Sequence, residues 1–250
     1  MKRVLPPVIP FVVITLVLEW VVRSGFVPSY LVPAPSAVLR ALFDSRGELA
    51  AAMAKTSSAA LIGFALSTLI GIAIAVLLSS SRAVQRAFYP YAVFFQTVPI
   101  IAVAPLLVIW FGYGMKTVIA SAFIVSIFPV IANTLTGLRS TDPALRDLFR
   151  LYGASATVTL VKLRFPAALP QILTGLRVAS GLAVIGAIVG EFIGGQGLGS
   201  VVDVARTQQR VDKVFAAVLL ASMLGLALFG LINLISALTL RRWHASEQGS

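Results

Sequence analysis

The sequence predicts an all-α integral membrane protein with about six transmembrane helices. Three observations carry this. Of the 250 residues, 58% are hydrophobic and only 12% charged, about half the roughly 25% charge usual for a soluble domain. Mean hydropathy is +0.96. The apolar residues gather into runs of about 20, the length an α-helix needs to cross the roughly 30 Å core of a bilayer. The runs do not alternate as barrel strands would, and backbone groups in lipid must be satisfied internally, so each run should be a helix.

Six runs qualify, near 5–23, 58–78, 91–111, 117–137, 172–192 and 214–238. The first follows Lys2 and Arg3, but no small-x-small cleavage site comes after it; Trp20, Val21, Val22 and Arg23 do. It is expected to stay as an anchor, and Glu19 and Arg23, four apart, can pair. In the second run Gly63, Ser67, Gly71 and Ala75 recur every four residues, as Gly186, Gly190 and Gly194 do in the fifth. Small residues let helices approach closely in lipid, although Gly and Ala are also simply common there. Pro99 and Pro105 interrupt the third run and Pro129 the fourth, each a candidate kink. Arg177 lies just inside the fifth run, from where it could snorkel inward.

The net charge of +11 could signal nucleic acid. The basic residues instead scatter among loops on both sides. With the N-terminus inside, the inner segments hold 11 of the 20 Lys and Arg and the outer ones 8, Arg177 being the last. This bias places both termini in the cytoplasm. There is no Cys, and the single His, His244, lies in the polar tail. Thiol chemistry, disulfides and a His-rich metal site are excluded. No G-x-x-x-x-G-K-[ST] phosphate loop is present, and Gly194, Gly195, Gly197 and Gly199 have the wrong spacing for a dinucleotide loop. No catalytic residue, metal or cofactor is predicted.

The segment 138–171 is the longest inner one and carries five of the eleven inner basic residues. Asp142-Pro143 is a helix start, a short helix over 143–152 follows, and Gly153 stops it. A second short helix over 154–164 should end at Pro166. Leu145, Leu148, Phe149 and Tyr152 recur at helical spacing. They can pack beneath the membrane helices or fill a partner's groove.

This stretch resembles the cytoplasmic loop of permease subunits of bacterial, binding-protein-dependent ATP-binding-cassette (ABC) importers, whose pattern is E-A-A-x3-G-x9-I-x-L-P. Asp147-Leu148-Phe149 take the first three places, Gly153 the Gly, Leu163 the Ile, Phe165 the Leu and Pro166 the Pro. Ala167-Ala168-Leu169-Pro170 and Leu173-Thr174-Gly175-Leu176-Arg177 follow. This run is similar to the branch that carries nitrate, sulfonates, taurine and vitamin precursors. So are Pro33-Ala34-Pro35-Ser36, Pro99 to Pro105 with Trp110-Phe111-Gly112, and Glu191-Phe192-Ile193-Gly194-Gly195 with Gly197-Leu198-Gly199. The likeness covers nearly the whole chain, best over 54–240. The departures are Asp147 for Glu and the bulky Leu148 and Phe149 for two Ala, which would need a matching pocket on the partner.

The resemblance implies one permease domain over 1–250 with the type I ABC-importer fold, in a bacterial inner or plasma membrane. It implies a second permease copy as a homodimer, a separate ATPase dimer that hydrolyses ATP, and a periplasmic or lipid-anchored substrate-binding protein. Asp147, Leu148, Phe149, Tyr152, Gly153, Leu163, Phe165, Pro166 and Pro170 would couple to the ATPase, with Arg146 and Arg150 at the rim. The solute would be a sulfonate-, nitrate- or taurine-like anion or a thiamine- or riboflavin-type precursor.

Intramembrane polar residues are functional suspects. Gln96, Asn133 and Glu191 are the pathway candidates, with Asn233 a fourth. Each has a structural alternative: interhelical hydrogen bonding for Gln96, Asn133 and Asn233, and stabilisation of the outer loop for Glu191. The competing function is a stand-alone secondary transporter or channel. Inverted repeats would favour it and none is evident, while the near absence of buried charge speaks against a proton-driven pump. A membrane enzyme would need a cluster of reactive groups, and the carboxylates are scattered.

Overall fold

The computed structural model describes residues 5–243; Lys2, Arg3 and His244 lie outside them. Among the described residues every regular element is helical. The helices are α1 (Leu5–Arg23), α2 (Pro35–Asp44), α3 (Arg46–Ser79), α4 (Arg82–Thr97), α5 (Ile100–Phe111), α6 (Met115–Arg139), α7 (Pro143–Leu151), α8 (Ala156–Thr159), a π turn (Leu160–Arg164), α9 (Phe165–Gly194), α10 (Leu198–Thr207) and α11 (Val211–Trp243).

Four uninterrupted stretches among the described residues are long and apolar enough to cross a membrane: Arg46–Ser79, Met115–Arg139, Ala156–Gly194 and Val211–Leu240. They cover four of the six expected spans, and α1 covers the first. The expected span 91–111 is corrected: it is two helices, broken where Val98 and Pro99 are extended. A residue before proline is pushed out of the α region, and Pro99 then caps α5. Pro105 and Pro129 stay inside continuous helices. The short helices α2 and α10 were not expected.

The centre of the bundle is α6, packed between α3 and α9. Close approach is what the small-residue stripes provide. Gly63, Ser67, Gly71 and Ala75 are all buried. A Cβ on Gly63 would lie 2.6 Å from Ala122 Cβ, and one on Gly71 2.9 Å from Val130 Cγ1. On the other flank, a Cβ on Gly186 would lie 2.8 Å from both Ser121 O and Ala122 Cα. The Ser121 hydroxyl donates to Gly186 O at 2.7 Å. Between two lipid-facing helices no hydrophobic effect drives contact, so dispersion at this distance and such hydrogen bonds hold the helices together. The stripes are therefore interhelical seams. Leu224 and Leu228 of α11 complete the same core against Ala59, Ala122, Val184 and Ala187.

One end of the bundle carries α7. The opposite end is a small helical cap, where Ala41, Leu49, Leu198, Val201 and Ala217 bury one another. Two ion pairs fasten it. The buried Lys213 ammonium reaches Glu48 Oε2 at 2.6 Å, joining α11 to α3. Glu19 pairs with Arg23 at 2.6 Å, as its spacing predicts. Its carboxylate also accepts from the Ser36 backbone N–H at 2.9 Å and from the Ser36 hydroxyl at 2.7 Å. Ser36 lies in the first turn of α2, whose orphan N–H groups favour an anion, so α1 is tied to α2.

Candidate functional site

The helix α7 is bounded by chemistry in its own sequence. Asp142 Oδ1 accepts from the Ala144 N–H at 2.8 Å, and Pro143 occupies the first turn, where a missing N–H does no harm. At the other end Gly153 has φ +68°, the left-handed conformation most side chains resist. The Gly153 N–H donates to Arg150 O and the Ala154 N–H to Phe149 O, both at 3.0 Å. This pair of bonds is a Schellman motif, which satisfies carbonyls the helix end would otherwise orphan.

No residue of α7 is buried. Leu145, Leu148, Phe149 and Tyr152 follow one another at i, i+3, i+4 and i+7, a single stripe. Leu148 is 44% exposed and Tyr152 83%, and Phe149 is half-buried. The chain itself covers Phe149 in part and leaves Leu148 and Tyr152 exposed. Arg150 and Asp147 stand 3.9 Å apart at high exposure, a pair that contributes little to stability.

The second half of the bracket differs from its expected form. It does not end at Pro166. The chain passes through α8 and the π turn into α9 without a break, as one helical stretch over Ala156–Gly194. Pro166 and Pro170 have no N–H to give, so each removes a bond from the helical ladder, and Pro166 falls directly after the π turn, where that ladder is already irregular. The π turn before it closes with the Phe165 N–H on Leu160 O. Leu163, Phe165, Pro166 and Pro170 are half-buried. Phe165 packs with Leu160 against Leu138, Ala168 and Ile172. So Asp147, Leu148 and Tyr152 are exposed and Phe149 half-buried, Gly153 turns the chain, and Leu163 to Pro170 root it.

At the opposite end, Glu191 is only 2% exposed. Its Oε2 accepts from the Gly199 N–H at 2.8 Å. The neighbouring Leu198 N–H donates to Thr56 Oγ1 at 2.9 Å, whose hydroxyl donates in turn to Ala52 O at 3.1 Å. The first N–H groups of α10 are therefore capped by one side chain from α9 and one from α3. Glu191 Oε1 is buried with no hydrogen-bond partner. Beside it opens a cleft of about 360 Å³, bordered by Tyr113, Phe192, Gln196, Ser200 and Asp203.

The other pathway candidates lie apart. Gln96 is exposed on α4. The Asn133 amide donates to Pro129 O at 2.9 Å within α6, where α9 crosses at Gly175. Asn233 is half-buried on α11. Among the described residues no hydrogen bond joins any two of Gln96, Asn133 and Glu191. Arg177 does not need to snorkel to water: its guanidinium donates to Ser236 on α11. Sequence patterns had no means to single out Thr56 or Arg164, because their partners are remote along the chain.

A helical bundle of this kind has known relatives. Residues 67–241 match the family described as binding-protein-dependent transport system inner membrane component. The chain belongs to this family. It is 37% identical to the formylaminopyrimidine transport permease protein ThiX of Halalkalibacterium halodurans, over 93% of this chain and 95% of that one. It is 33% identical to the riboflavin transport system permease protein RibX of Chloroflexus aurantiacus, over 95% and 90% respectively. Inward-facing structures of the MetNI methionine ABC transporter share its fold, with TM-score 0.69 at 17% identity, covering 80% of this chain and 97% of that chain. The chain is thus an ABC-importer permease of the sulfonate and vitamin-precursor branch, a multi-pass helical membrane protein.

Proposed function

We propose that this permease moves a thiamine- or flavin-type vitamin precursor inward across a bacterial inner membrane. A second copy pairs with it, and both termini lie in the cytoplasm. On that side α7 seats in an ATPase subunit, and a separate binding protein delivers solute to the opposite end. The observation that carries this reading is the apolar stripe of α7, fixed at both ends and with no residue buried in its own chain beyond the half-covered Phe149. Two relatives matched over at least nine-tenths of each chain are named for formylaminopyrimidine and riboflavin transport, which supports a heteroaromatic precursor over a sulfonate. The buried charges among the described residues, Glu191 and Lys213, are engaged in α10 capping and an ion pair. Neither is thus free to serve in a proton relay, which counts against a proton-driven pump.

The test is reconstitution of the permease with its ATPase and binding protein in proteoliposomes. ATP-dependent accumulation of a pyrimidine or flavin precursor is expected. Uptake that needs no ATPase, or uptake of sulfonates alone, overturns the reading. One variant bears on the coupling role directly. A Cβ at Gly153 would meet nothing within 4 Å, so Gly153→Glu strains only the turn, by about 1–2 kcal/mol, and places a charge beside the docking stripe. It is expected to reach the membrane at normal levels and to lose transport. Normal uptake in this variant would remove α7 from the mechanism.

A further inference from the structure

Arg164 is the last residue of the π turn, at the root of the bracket. Its Nε donates to Leu138 O at 3.0 Å, and an Nη2 hydrogen of the same guanidinium donates to Ser79 O at 3.3 Å. Leu138 lies in the last turn of α6 and Ser79 is the last residue of α3. Both carbonyls belong to helix ends, where no backbone N–H remains to meet them and where a cation is favoured by the helix dipole. One planar fork therefore joins the ends of α3 and α6 to the start of α9. Arg suits this place because its donors diverge in a fixed geometry; Lys offers a single point of charge.

The position matters for how motion enters the bundle. From Gly153 the chain runs through α8 and the π turn into a helix that reaches the opposite end. The π turn is the irregular step in that rod, and such turns mark places where a helix can yield. A displacement of α7 arriving at this turn can bend it there, or can carry the neighbouring helices along. We propose that Arg164 is a positioning residue that makes α3 and α6 follow α9 when α7 moves, so that ATPase motion becomes reorientation of the bundle instead of local flexing at the π turn. The proposal rests on the ABC-importer reading of α7.

The experiment uses the whole permease, with its ATPase and binding protein, carrying Arg164→Gln or Arg164→Lys. The chain has no Cys, so Ser80→Cys and Lys162→Cys, both at exposed positions, give one spin-label pair per copy across the clasp, and dilution with unlabelled copies isolates the distance within one chain. In Arg164→Gln the complex is expected to assemble and to hydrolyse ATP within about twofold of normal, while uptake falls about tenfold or more. The 80–162 distance distribution is expected to broaden. Arg164→Lys should fall between this variant and the native protein. An unchanged distance distribution in Arg164→Gln overturns the clasp, as do unchanged uptake or hydrolysis and uptake that fall in proportion. If the native assembly shows no ATP-driven uptake, the functional reading fails, and the distance measurement still decides the clasp.

Discussion

Gly197→Ala is expected to leave little folded permease in the membrane. The reason is space, not backbone conformation. Gly197 has φ −179°, extended backbone open to any residue. But an added Cβ would overlap Glu191 Oε1 and lie 2.6 Å from Thr56 Oγ1. Glu191 and Thr56 are both buried, and each is held by an N–H of the first turn of α10. Neither can retreat without giving up its bond. Overpacking alone costs about 1–3 kcal/mol, and each lost cap adds about 1 kcal/mol. The sum is a large part of the roughly 5–15 kcal/mol that holds a domain together. Thermal unfolding in detergent and the yield of monodisperse protein measure this. Gly225→Ala and Gly230→Ala, where a Cβ meets nothing within 4 Å, should unfold like the native chain. Glu191→Ala combined with Gly197→Ala removes the overlap with the carboxylate, though not the close approach to Thr56 Oγ1, while losing one cap. It should recover part of the stability, a coupling that a double-mutant cycle isolates. Additive losses would mean that the carboxylate does not fill the space against Gly197.

What the sequence disclosed follows the range of the interactions. The seams of Gly63 to Ala75 and Gly186 to Gly194 are periodic on one helix, so they can be read without knowing the partner, although only contact with Ala122, Val130 and Ser121 shows them to be seams. The limits of α7 are written by Asp142, Pro143 and Gly153 acting within a few residues of themselves. Pro166 misled for a local reason: the π turn before it already makes the helical ladder irregular, and the chain enters α9 without a stop. The break at Pro99 has the opposite outcome, because Val98 takes the extended conformation that ends a helix. The long-range clamps had no sequence signal. Thr56 meets Leu198 across 142 positions and Arg164 meets Ser79 across 85. Glu191 drew attention as a polar residue in lipid, but its bond to α10 depends on where the chain returns.

Replacing Leu148 and Phe149 by Ser is expected to abolish association with the ATPase while leaving the permease itself intact. The two halves of this expectation have separate causes. Leu148 is 44% exposed, so its change should shift stability by less than about 0.5 kcal/mol, and that of the half-buried Phe149 by about 1 kcal/mol. Expression and unfolding temperature should stay close to those of the native chain. At a docking surface the same side chains would be apolar anchors. Fully burying a Leu or Phe contributes about 1.5–3 kcal/mol each; Leu148 is 44% exposed and Phe149 half-buried before docking, so losing about half of that for both weakens binding by about 10–10²-fold. Copurification of the ATPase reads this directly, and uptake should vanish with it. A complex that survives intact would show that the stripe is not the contact. Leu148→Ala with Phe149→Ala refines the result, because it restores the small residues of the family's loop pattern. A partner groove shaped for the bulky pair would be left with a void, so binding should weaken, though less than with Ser, since Ala keeps the site apolar and favours the helix. Binding as tight as in the native pair would mean that the groove accepts the common pattern, and that Leu148 and Phe149 do not set which ATPase this permease takes.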